Sequence, residues 1–175
     1  MKIIVSGANG QLGKALLEVK PKNINLITCP RQKLDICNIE KSRELIREIK
    51  PDLIINAAAY TAVEKAEDEL ECAYSINADG VQNIARIALE ENVELIHIST
   101  DYVFDGTLDR PYKESDQTNP LNIYGKSKLK GEQLASEVLG DKLLILRTAW
   151  LYSFHGPSFL KTITNLLFKK ESINV

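Results

Sequence analysis

Short apolar runs alternate along this chain with longer stretches in which apolar and polar positions are mixed. The runs have the length of buried strands, and the apolar residues between them recur at helical spacing, as Leu45, Ile46 and Ile49 do. This pattern predicts strands at residues 3–6, 24–28, 53–55, 93–99 and 143–146. It predicts helices at residues 11–18, 40–50, 69–91, 122–139 and 157–167, the last with Pro157 in its first turn.

The alternation of strands and helices is typical of a parallel sheet with helices on both faces. A strand without polar positions, such as 53–55, agrees with this because strands of such sheets are buried on both sides. We therefore predict one α/β domain over residues 1–175, a Rossmann-like, doubly wound parallel sheet. Residues 172–175 have the pattern of one more strand, at which the sequence stops.

A glycine motif directly follows the first predicted strand. Gly7, Gly10 and Gly13 have the spacing G-x-x-G-x-x-G and stand between a strand and a helix. Glycines let the backbone approach a pyrophosphate closely, and the positive end of the helix dipole attracts the phosphates. The motif therefore predicts a dinucleotide site, although a plain glycine-rich turn has the same spacing.

The residues after the second and third strands bear on the type of dinucleotide. An acidic residue after the second strand would bind the ribose hydroxyls and favour NAD, but this chain has Cys29, Pro30 and Arg31 there. Arg31 either pairs with a 2′-phosphate, which favours NADP, or is a solvated loop residue. Asp35 precedes the next helix, where such a residue often borders the adenine. The small residues that close the third strand leave room for the cofactor, namely Ala57, Ala58 and Ala59.

Tyr124 and Lys128 lie four residues apart on a predicted helix and therefore share one face. A phenol has a pKa of about 10, and a nearby ammonium lowers it by stabilising the phenolate. The tyrosine can then donate a proton to a carbonyl oxygen as hydride reaches the carbonyl carbon. Thr100, at the end of the fourth strand, supplies a hydroxyl that polarises the same carbonyl. The order of these groups after the glycine motif predicts a reductase.

Composition narrows the class of protein. The chain has 175 residues, 44% of them hydrophobic, and a net charge of −2, so nothing attracts it generally to nucleic acid or to an anionic membrane. No apolar run approaches the ~20 residues of a membrane span. The spacing of Cys29, Cys37 and Cys72 fits no metal site, so we expect free thiols in a cytoplasmic protein without a metal.

The chain resembles the extended short-chain dehydrogenases/reductases, and within them the dTDP-4-dehydrorhamnose reductase family. The resemblance runs nearly from end to end and is carried by residues 7–13, 56–67, 99–106, 120–128 and 146–150. It implies NAD(P)H-dependent reduction of the 4-keto group of dTDP-4-dehydro-L-rhamnose to dTDP-L-rhamnose. The implied cofactor is NADPH or NADH, and the implied partner is the sugar-nucleotide substrate.

The resemblance also implies a role for individual residues. Thr100, Tyr124 and Lys128 correspond to the catalytic triad, with Tyr124 as the general acid. Together with Thr100 and Tyr124, Asp101 and Trp150 would border the sugar nucleotide. The residues expected to touch the cofactor are Gly10, Gln11, Leu12, Asp35, Ile36, Ala57, Ala58, Ala59, Tyr124 and Lys128.

The chain departs from the family pattern in two ways. Cys29 or Pro30 replaces the acidic residue often found after the second strand, which leaves the choice between NADPH and NADH open. The family is also longer, and the part that it adds carries most of a smaller substrate domain. We therefore expect a fragment or a shortened product that largely lacks this domain and has little turnover alone. The sequence leaves the oligomeric state open, and a homodimer is one possibility.

Two alternatives remain, one a related enzyme and the other from another functional class. A sugar-nucleotide dehydratase or epimerase has the same fold, but dehydratases place an Asp-Glu pair after the threonine, and this chain has Asp101 and Tyr102. That difference favours simple carbonyl reduction. The second alternative is a non-catalytic regulatory subunit, resembling the β subunit of methionine adenosyltransferase, which works by binding a partner enzyme. The intact Thr100, Tyr124 and Lys128 argue against it.

Overall fold

A computed structural model of the chain describes residues 1–156 and 158–168. Its five strands are Lys2–Ser6 (β1), Asn25–Cys29 (β2), Leu53–Asn56 (β3), Glu94–Thr100 (β4) and Leu143–Thr148 (β5). Its α-helices are Gln11–Val19 (α1), Ile39–Ile49 (α2), Leu70–Tyr74 (α3), Gly80–Glu90 (α4), Ile123–Leu139 (α5) and Phe159–Leu167 (α6). The predicted helical start at Pro157 and the predicted strand at 172–175 lie outside the described residues.

The strands form one parallel sheet in the order β2-β1-β3-β4-β5, which confirms the predicted α/β class. The chain steps from β1 to β2 in one direction and from β3 onward in the other. Between β1 and β3 the order reverses, and a crevice opens beyond the carboxyl ends of these strands. Ligands of open α/β sheets bind at such a reversal.

Helices cover both faces of the sheet because right-handed crossovers in opposite directions fall on opposite faces. On one face α4 packs between α2 and α5. The main apolar core lies beneath these three helices and includes the fully buried Ile4, Ile46, Ile54 and Ile84. The connection through α1 runs the other way and places α1 on the opposite face.

The helix predicted at residues 69–91 is not regular throughout. A π-helical turn over Ser75–Asp79 joins α3 to α4 without a break. Asn77, in this turn, is fully buried. Its side chain accepts a hydrogen bond from the backbone of Tyr60 at 2.9 Å and donates to Ser127 Oγ at 3.0 Å. The turn therefore ties the loop after β3 to α5.

Side chains stabilise the starts of α2 and α5. Asn38 accepts a hydrogen bond from the backbone N–H of Lys41, and Asn122 accepts one from the backbone N–H of Gly125 at 2.7 Å. Such caps bind N–H groups that have no partner within the helix. The cap at Asn122 fixes where α5 begins and therefore where Tyr124 lies, in its first turn.

Candidate active site

A cleft of about 700 Å³ lies along the carboxyl ends of the strands. It extends across the sheet from the loop after β2 to the loop after β5. Every residue predicted for the site from the sequence lines this cleft: Gly7, Gly10, Gln11, Leu12, Gly13, Arg31, Asp35, Ile36, Ala57, Ala58, Ala59, Thr100, Asp101, Tyr124, Lys128 and Trp150. The topology thus brings together residues that are far apart in the sequence.

The glycine loop lies against the end of β3. Gly7 has a φ of +65°, and a Cβ on it would lie 2.7 Å from backbone atoms of Ala57 and Ala58. A Cβ on Gly13 would lie 2.5 Å from the Cα of Ala8. Both positions therefore require glycine. Gly10 precedes α1, and no side chain caps the start of this helix. A loop of this shape leaves room for a pyrophosphate beside a helix start.

One end of the cleft carries a surface ion pair after β2. The Arg31 Nε lies 3.4 Å from a carboxylate oxygen of Asp35, and 72% of the Arg31 side chain is exposed. Asp35 also accepts a hydrogen bond from the backbone of Cys37 at 3.1 Å, which holds the carboxylate in place. An exposed pair contributes little to stability, so Arg31 can turn toward an incoming anion at small cost.

Tyr124 and Thr100 lie at the opposite end of the cleft. Thr100 ends β4, where its hydroxyl accepts a hydrogen bond from the backbone of Tyr102 at 3.3 Å and donates to Asp101 at 3.1 Å. The Tyr102 ring contacts the Tyr124 ring edge to face, with a centroid distance of 5.6 Å. Tyr124 therefore lies between β4 and the start of α5, with the Thr100 side chain close enough to its hydroxyl to lower the pKa of the phenol.

The electrostatics of Tyr124 differ from the prediction. The sequence predicted that Lys128 would lower the pKa of the phenol. Burial instead raises the pKa of Tyr124, and a hydrogen bond from Thr100 opposes that rise. The Lys128 Nζ donates to the backbone oxygen of Ile98 at 2.7 Å. The helical spacing placed Lys128 on the correct face, but its ammonium is directed to β4.

Lys128 itself is buried, with 1% of its surface exposed. Burial lowers the pKa of its ammonium to about 8, and the carboxylate of Glu132 opposes this effect. A lysine with such a pKa exchanges a proton with water near neutral pH. The site therefore contains a phenol in contact with a hydroxyl and, one helical turn further, an amine that can gain or lose a proton.

The family model described as the RmlD substrate binding domain matches residues 1–175. The chain belongs to this family. A dTDP-4-dehydrorhamnose reductase of Aggregatibacter actinomycetemcomitans is 42% identical over 176 residues, which cover 99% of this chain and 60% of the relative. A dTDP-4-keto-6-deoxy-D-glucose reductase of Streptomyces niveus is 38% identical over 173 residues, or 98% of this chain and 60% of that protein.

Solved structures of the RmlD family share the fold. The crystal structure of a dTDP-4-dehydrorhamnose reductase from Bacillus anthracis str. Ames in complex with NADP has a TM-score of 0.93 and 42% sequence identity. The match covers 97% of this chain and 60% of that one. The resemblance predicted from the sequence is therefore confirmed, and this RmlD family chain spans about 60% of the length of the relatives that it matches.

Sequence reasoning missed the polar groups behind the cleft of this RmlD family member. His97 is completely buried on β4 and contacts both Asn56 and Lys128. The signal was present in the sequence, because His97 stands among the apolar Leu95, Ile96 and Ile98 and shares the inward face with Leu95. The buried carboxylate of Glu132 was also missed. It pairs with Arg147 at 2.6 Å and joins α5 to β5.

A second cavity of about 570 Å³ adjoins the cleft beside Trp150. Asp101, Tyr102 and Trp150 line both spaces. Its walls carry several further aromatic rings, those of Phe104, Tyr112 and Phe159. Trp150 has a φ of +51° and packs against Phe159 edge to face, with a centroid distance of 4.6 Å.

The described residues contain no group of three or more His, Cys, Asp or Glu side chains placed to bind a metal ion. Within the same part of the chain, no helix is both long and apolar enough to cross a membrane. All three cysteines are free, and Cys29 is buried.

Proposed function

We propose that this chain is the NAD(P)H-binding and catalytic domain of a reductase. It would convert the 4-keto group of dTDP-4-dehydro-L-rhamnose to the hydroxyl of dTDP-L-rhamnose. One observation carries the proposal: Thr100, Tyr124 and Lys128 lie in the same cleft as the glycine loop. The names of its RmlD family relatives support the sugar nucleotide as the substrate.

The cleft fits a nicotinamide dinucleotide. Gly7 and Gly13 leave no space for a Cβ, and the loop between them faces a helix start that no side chain caps. Arg31 can pair with a 2′-phosphate, and no carboxylate directly follows β2 to repel one. We therefore favour NADPH over NADH. When bound, the cofactor supplies the hydride.

The side chains of this chain supply the proton and its environment. The Tyr124 phenol donates its proton to the carbonyl oxygen of the substrate. The substrate carbonyl becomes an alcohol, and Tyr124 becomes a phenolate. Thr100 orients the same oxygen by a hydrogen bond and polarises the carbonyl. Burial keeps the phenol protonated until the transfer, because it raises the pKa of Tyr124. Lys128, one helical turn from Tyr124, is the buried group of α5 that can exchange a proton.

The second cavity is the proposed place for the sugar nucleotide. Asp101 and Trp150 lie where it meets the cleft, so a ligand there can reach Thr100 and Tyr124. Its aromatic walls suit the apolar faces of a base or a deoxysugar, and the Asp101 carboxylate can accept hydrogen bonds from sugar hydroxyls.

Two measurements on the chain test the proposal. Calorimetry should show NADPH binding by the 175-residue chain. Excess protein with NADPH should then reduce a limiting amount of dTDP-4-keto-6-deoxy sugar in a single turnover, which detects even slow chemistry. Absence of NADPH binding would contradict the whole proposal. Binding without any reduction would contradict its catalytic part and favour a non-catalytic subunit.

A second substrate is supported by the Streptomyces niveus relative, which is named dTDP-4-keto-6-deoxy-D-glucose reductase. The proposed proton donor and cleft are the same for both keto sugars. The two candidates differ in the sugar stereochemistry that the second cavity accepts. Offering both keto sugars in the single-turnover assay, and identifying the product by NMR, distinguishes them.

A further inference from the structure

Four polar side chains form a row beneath the cleft, from β1 to α5. Ser6 Oγ lies 2.6 Å from Asn56 Oδ1, Asn56 Nδ2 lies 3.2 Å from His97 Nδ1, and Lys128 Nζ lies 3.3 Å from His97 Nε2. Each of the four residues is at most 1% exposed. Among them only Lys128 lines the cleft. The row therefore ends at a residue of the candidate active site.

The neighbours of Asn56 fix the direction of these hydrogen bonds. Its Oδ1 accepts from the backbone N–H of Ala58 at 3.3 Å and from the hydroxyl of Ser6. A backbone N–H can only donate, so the amide nitrogen of Asn56 must be the atom that faces His97. That nitrogen donates to Nδ1, which must carry a lone pair. A neutral His97 therefore has its hydrogen on Nε2.

His97 stays neutral in this setting. Burial lowers its pKa well below the ordinary value, and the charge of Lys128 lowers it further. The Nε2–H then points to Lys128 Nζ. A neutral amine has one lone pair to accept this hydrogen and two hydrogens, one of which it donates to Ile98. An ammonium has no lone pair, so it meets the Nε2–H with a hydrogen of its own.

We infer that His97 is a positioning residue. Asn56 holds the ring with its hydrogen on Nε2, so His97 donates a hydrogen bond to the neutral amine of Lys128. This bond stabilises the amine relative to the ammonium. The inference rests on the proposed function, in which Tyr124 must regain a proton after each reduction. Lys128 releases one proton, which passes through the cleft to the Tyr124 phenolate, and becomes the amine. A proton from the solvent then restores the ammonium. No electrons move in this step.

Other charged groups also act on Lys128. Glu132, on the same helix, favours the ammonium, but its carboxylate is shared with Arg147 from β5 and with the hydroxyl of Ser99 from β4. Asp101 and Tyr124 line the cleft beside it. Burial is the largest cause of the lowered pKa of Lys128. The contribution of His97 must therefore be measured with variants that leave burial and Glu132 unchanged.

Two substitutions at one position separate the two ends of the ring. His97→Asn keeps an acceptor near the place of Nδ1 for Asn56 but removes the donor to Lys128. His97→Gln reaches the place of Nε2 with an amide N–H but gives up the contact with Asn56. With ¹³C-labelled lysine, NMR follows the Lys128 signal against pH, and its loss in Lys128→Arg assigns it.

We expect His97→Asn to raise the pKa of Lys128 by about 0.5–1 unit, the effect of losing one hydrogen bond to the neutral amine. His97→Gln should leave it close to the wild-type value. Equal shifts in both variants, or no shift in His97→Asn, would overturn the inference, because a merely structural role of His97 does not distinguish the two ends of the ring.

A measurement on the wild type covers the case in which a variant does not fold. The chain has only two histidines, His97 and His155, so ¹⁵N NMR of the rings can be assigned with His155→Gln. We expect His97 to carry its hydrogen on Nε2 from pH 6 to pH 10. A hydrogen on Nδ1 would refute the inference. Neither NMR experiment needs turnover, so failure of the proposed reduction would appear separately, in the single-turnover assay.

Discussion

At the scale of single residues, the balance of forces on Tyr124 decides what the site can do. Burial favours the neutral phenol, whereas the Thr100 hydroxyl stabilises the phenolate. The group is thus protonated before the proposed transfer, and the Thr100 hydroxyl can donate to the phenolate afterwards by turning its one hydrogen away from Asp101. A general acid needs both properties, because it must hold its proton until the transition state and then tolerate the charge.

Tyr124→Phe removes the hydroxyl and keeps the ring that contacts Tyr102. General acid catalysis contributes ~10²–10⁴-fold, so we expect the single-turnover rate to fall by about this factor while NADPH affinity changes little. Tyr152→Phe is the matched control, since Tyr152 is exposed and lies outside the lining of the cleft. A Tyr124→Phe rate within a few-fold of wild type would assign the proton to another group.

Arg31 gives the cofactor preference a direct test. A charge-assisted hydrogen bond is worth about 1.5 kcal/mol or more, so Arg31→Ala should weaken NADPH binding by roughly tenfold. NADH lacks the 2′-phosphate, and its affinity should not change. Calorimetry with both cofactors checks this, with Lys33→Ala as the control because Lys33 is exposed nearby but outside the lining. Equal losses for both cofactors would contradict a contact with the phosphate.

The sequence was informative about which residues share the cleft and less so about where their polar atoms point. Strand ends and helical spacing place Thr100, Tyr124 and Lys128 near one another, because the carboxyl ends of parallel strands meet at one edge. The depth of a long side chain depends on what lies beneath it. Lys128 turns toward His97 and Ile98. The helical spacing of Tyr124 and Lys128 does not indicate which residues lie beneath the helix. The catalytic and binding roles of the lining residues stay predictions.

At the scale of elements, the contact between α5 and β4 places a lysine amine in the interior. Its ammonium is lost more easily in the folded chain than in the unfolded chain, because burial lowers the pKa of Lys128 to about 8. Between that pKa and the higher value of the unfolded chain, the unfolded state binds more protons. The free energy of unfolding therefore increases as the pH rises from the folded pKa of Lys128 to its unfolded pKa.

Lys128→Met removes the titrating group and should change how stability depends on pH. Below pH 8 Lys128 is a buried ammonium, which lowers the free energy of unfolding of wild type. The stability of Lys128→Met relative to wild type is therefore highest there. From pH 7 to pH 10 the stability of wild type relative to Lys128→Met should rise by roughly 2–3 kcal/mol. Urea unfolding at both pH values measures this. Lys126→Met, on the exposed side of α5, should show no such change. A difference that is constant with pH would contradict the linkage.

The elements themselves followed from periodicity, with ends displaced by a residue or two. All five strands and the helices of the described part were predicted in the correct order. The π-helical turn was not, because one extra residue barely alters the apolar spacing over a long helix. The strand order β2-β1-β3-β4-β5 also needed the structure, since alternation alone gives the parallel arrangement and not the order.

At the scale of the whole molecule, the cleft touches the carboxyl ends of the sheet from β1 to β5, so a bound cofactor stabilises the domain as a unit. NADPH at about 100 times its Kd adds about 2.7 kcal/mol to the free energy of unfolding. For a chain of this size, Tm should rise by about 5–10 °C. Thermal unfolding with and without NADPH measures the shift.

Gly10→Val is the matching control for that experiment. Among the described residues, a Cβ at Gly10 would meet only the Gly7 backbone oxygen, at 3.2 Å. The φ of −72° suits any residue, so the variant should fold. Its side chain would occupy the proposed place of the phosphates, and we expect no rise in Tm with NADPH. A rise equal to that of wild type would place the dinucleotide elsewhere.

The π-helical turn at Ser75–Asp79 also changes which face of the helix points to the interior. Ala73 belongs to the small apolar cluster around Tyr124, whereas Ile84 belongs to the main core. In a regular helix the eleven steps from Ala73 to Ile84 would turn through about 1,100°, which places both on nearly the same side. The wide turn offsets this by about one residue, or about 100°. One continuous helix can therefore pack against two apolar clusters that lie on different sides of it. Deleting a single residue from the turn would rotate one half so that its apolar face no longer meets its cluster.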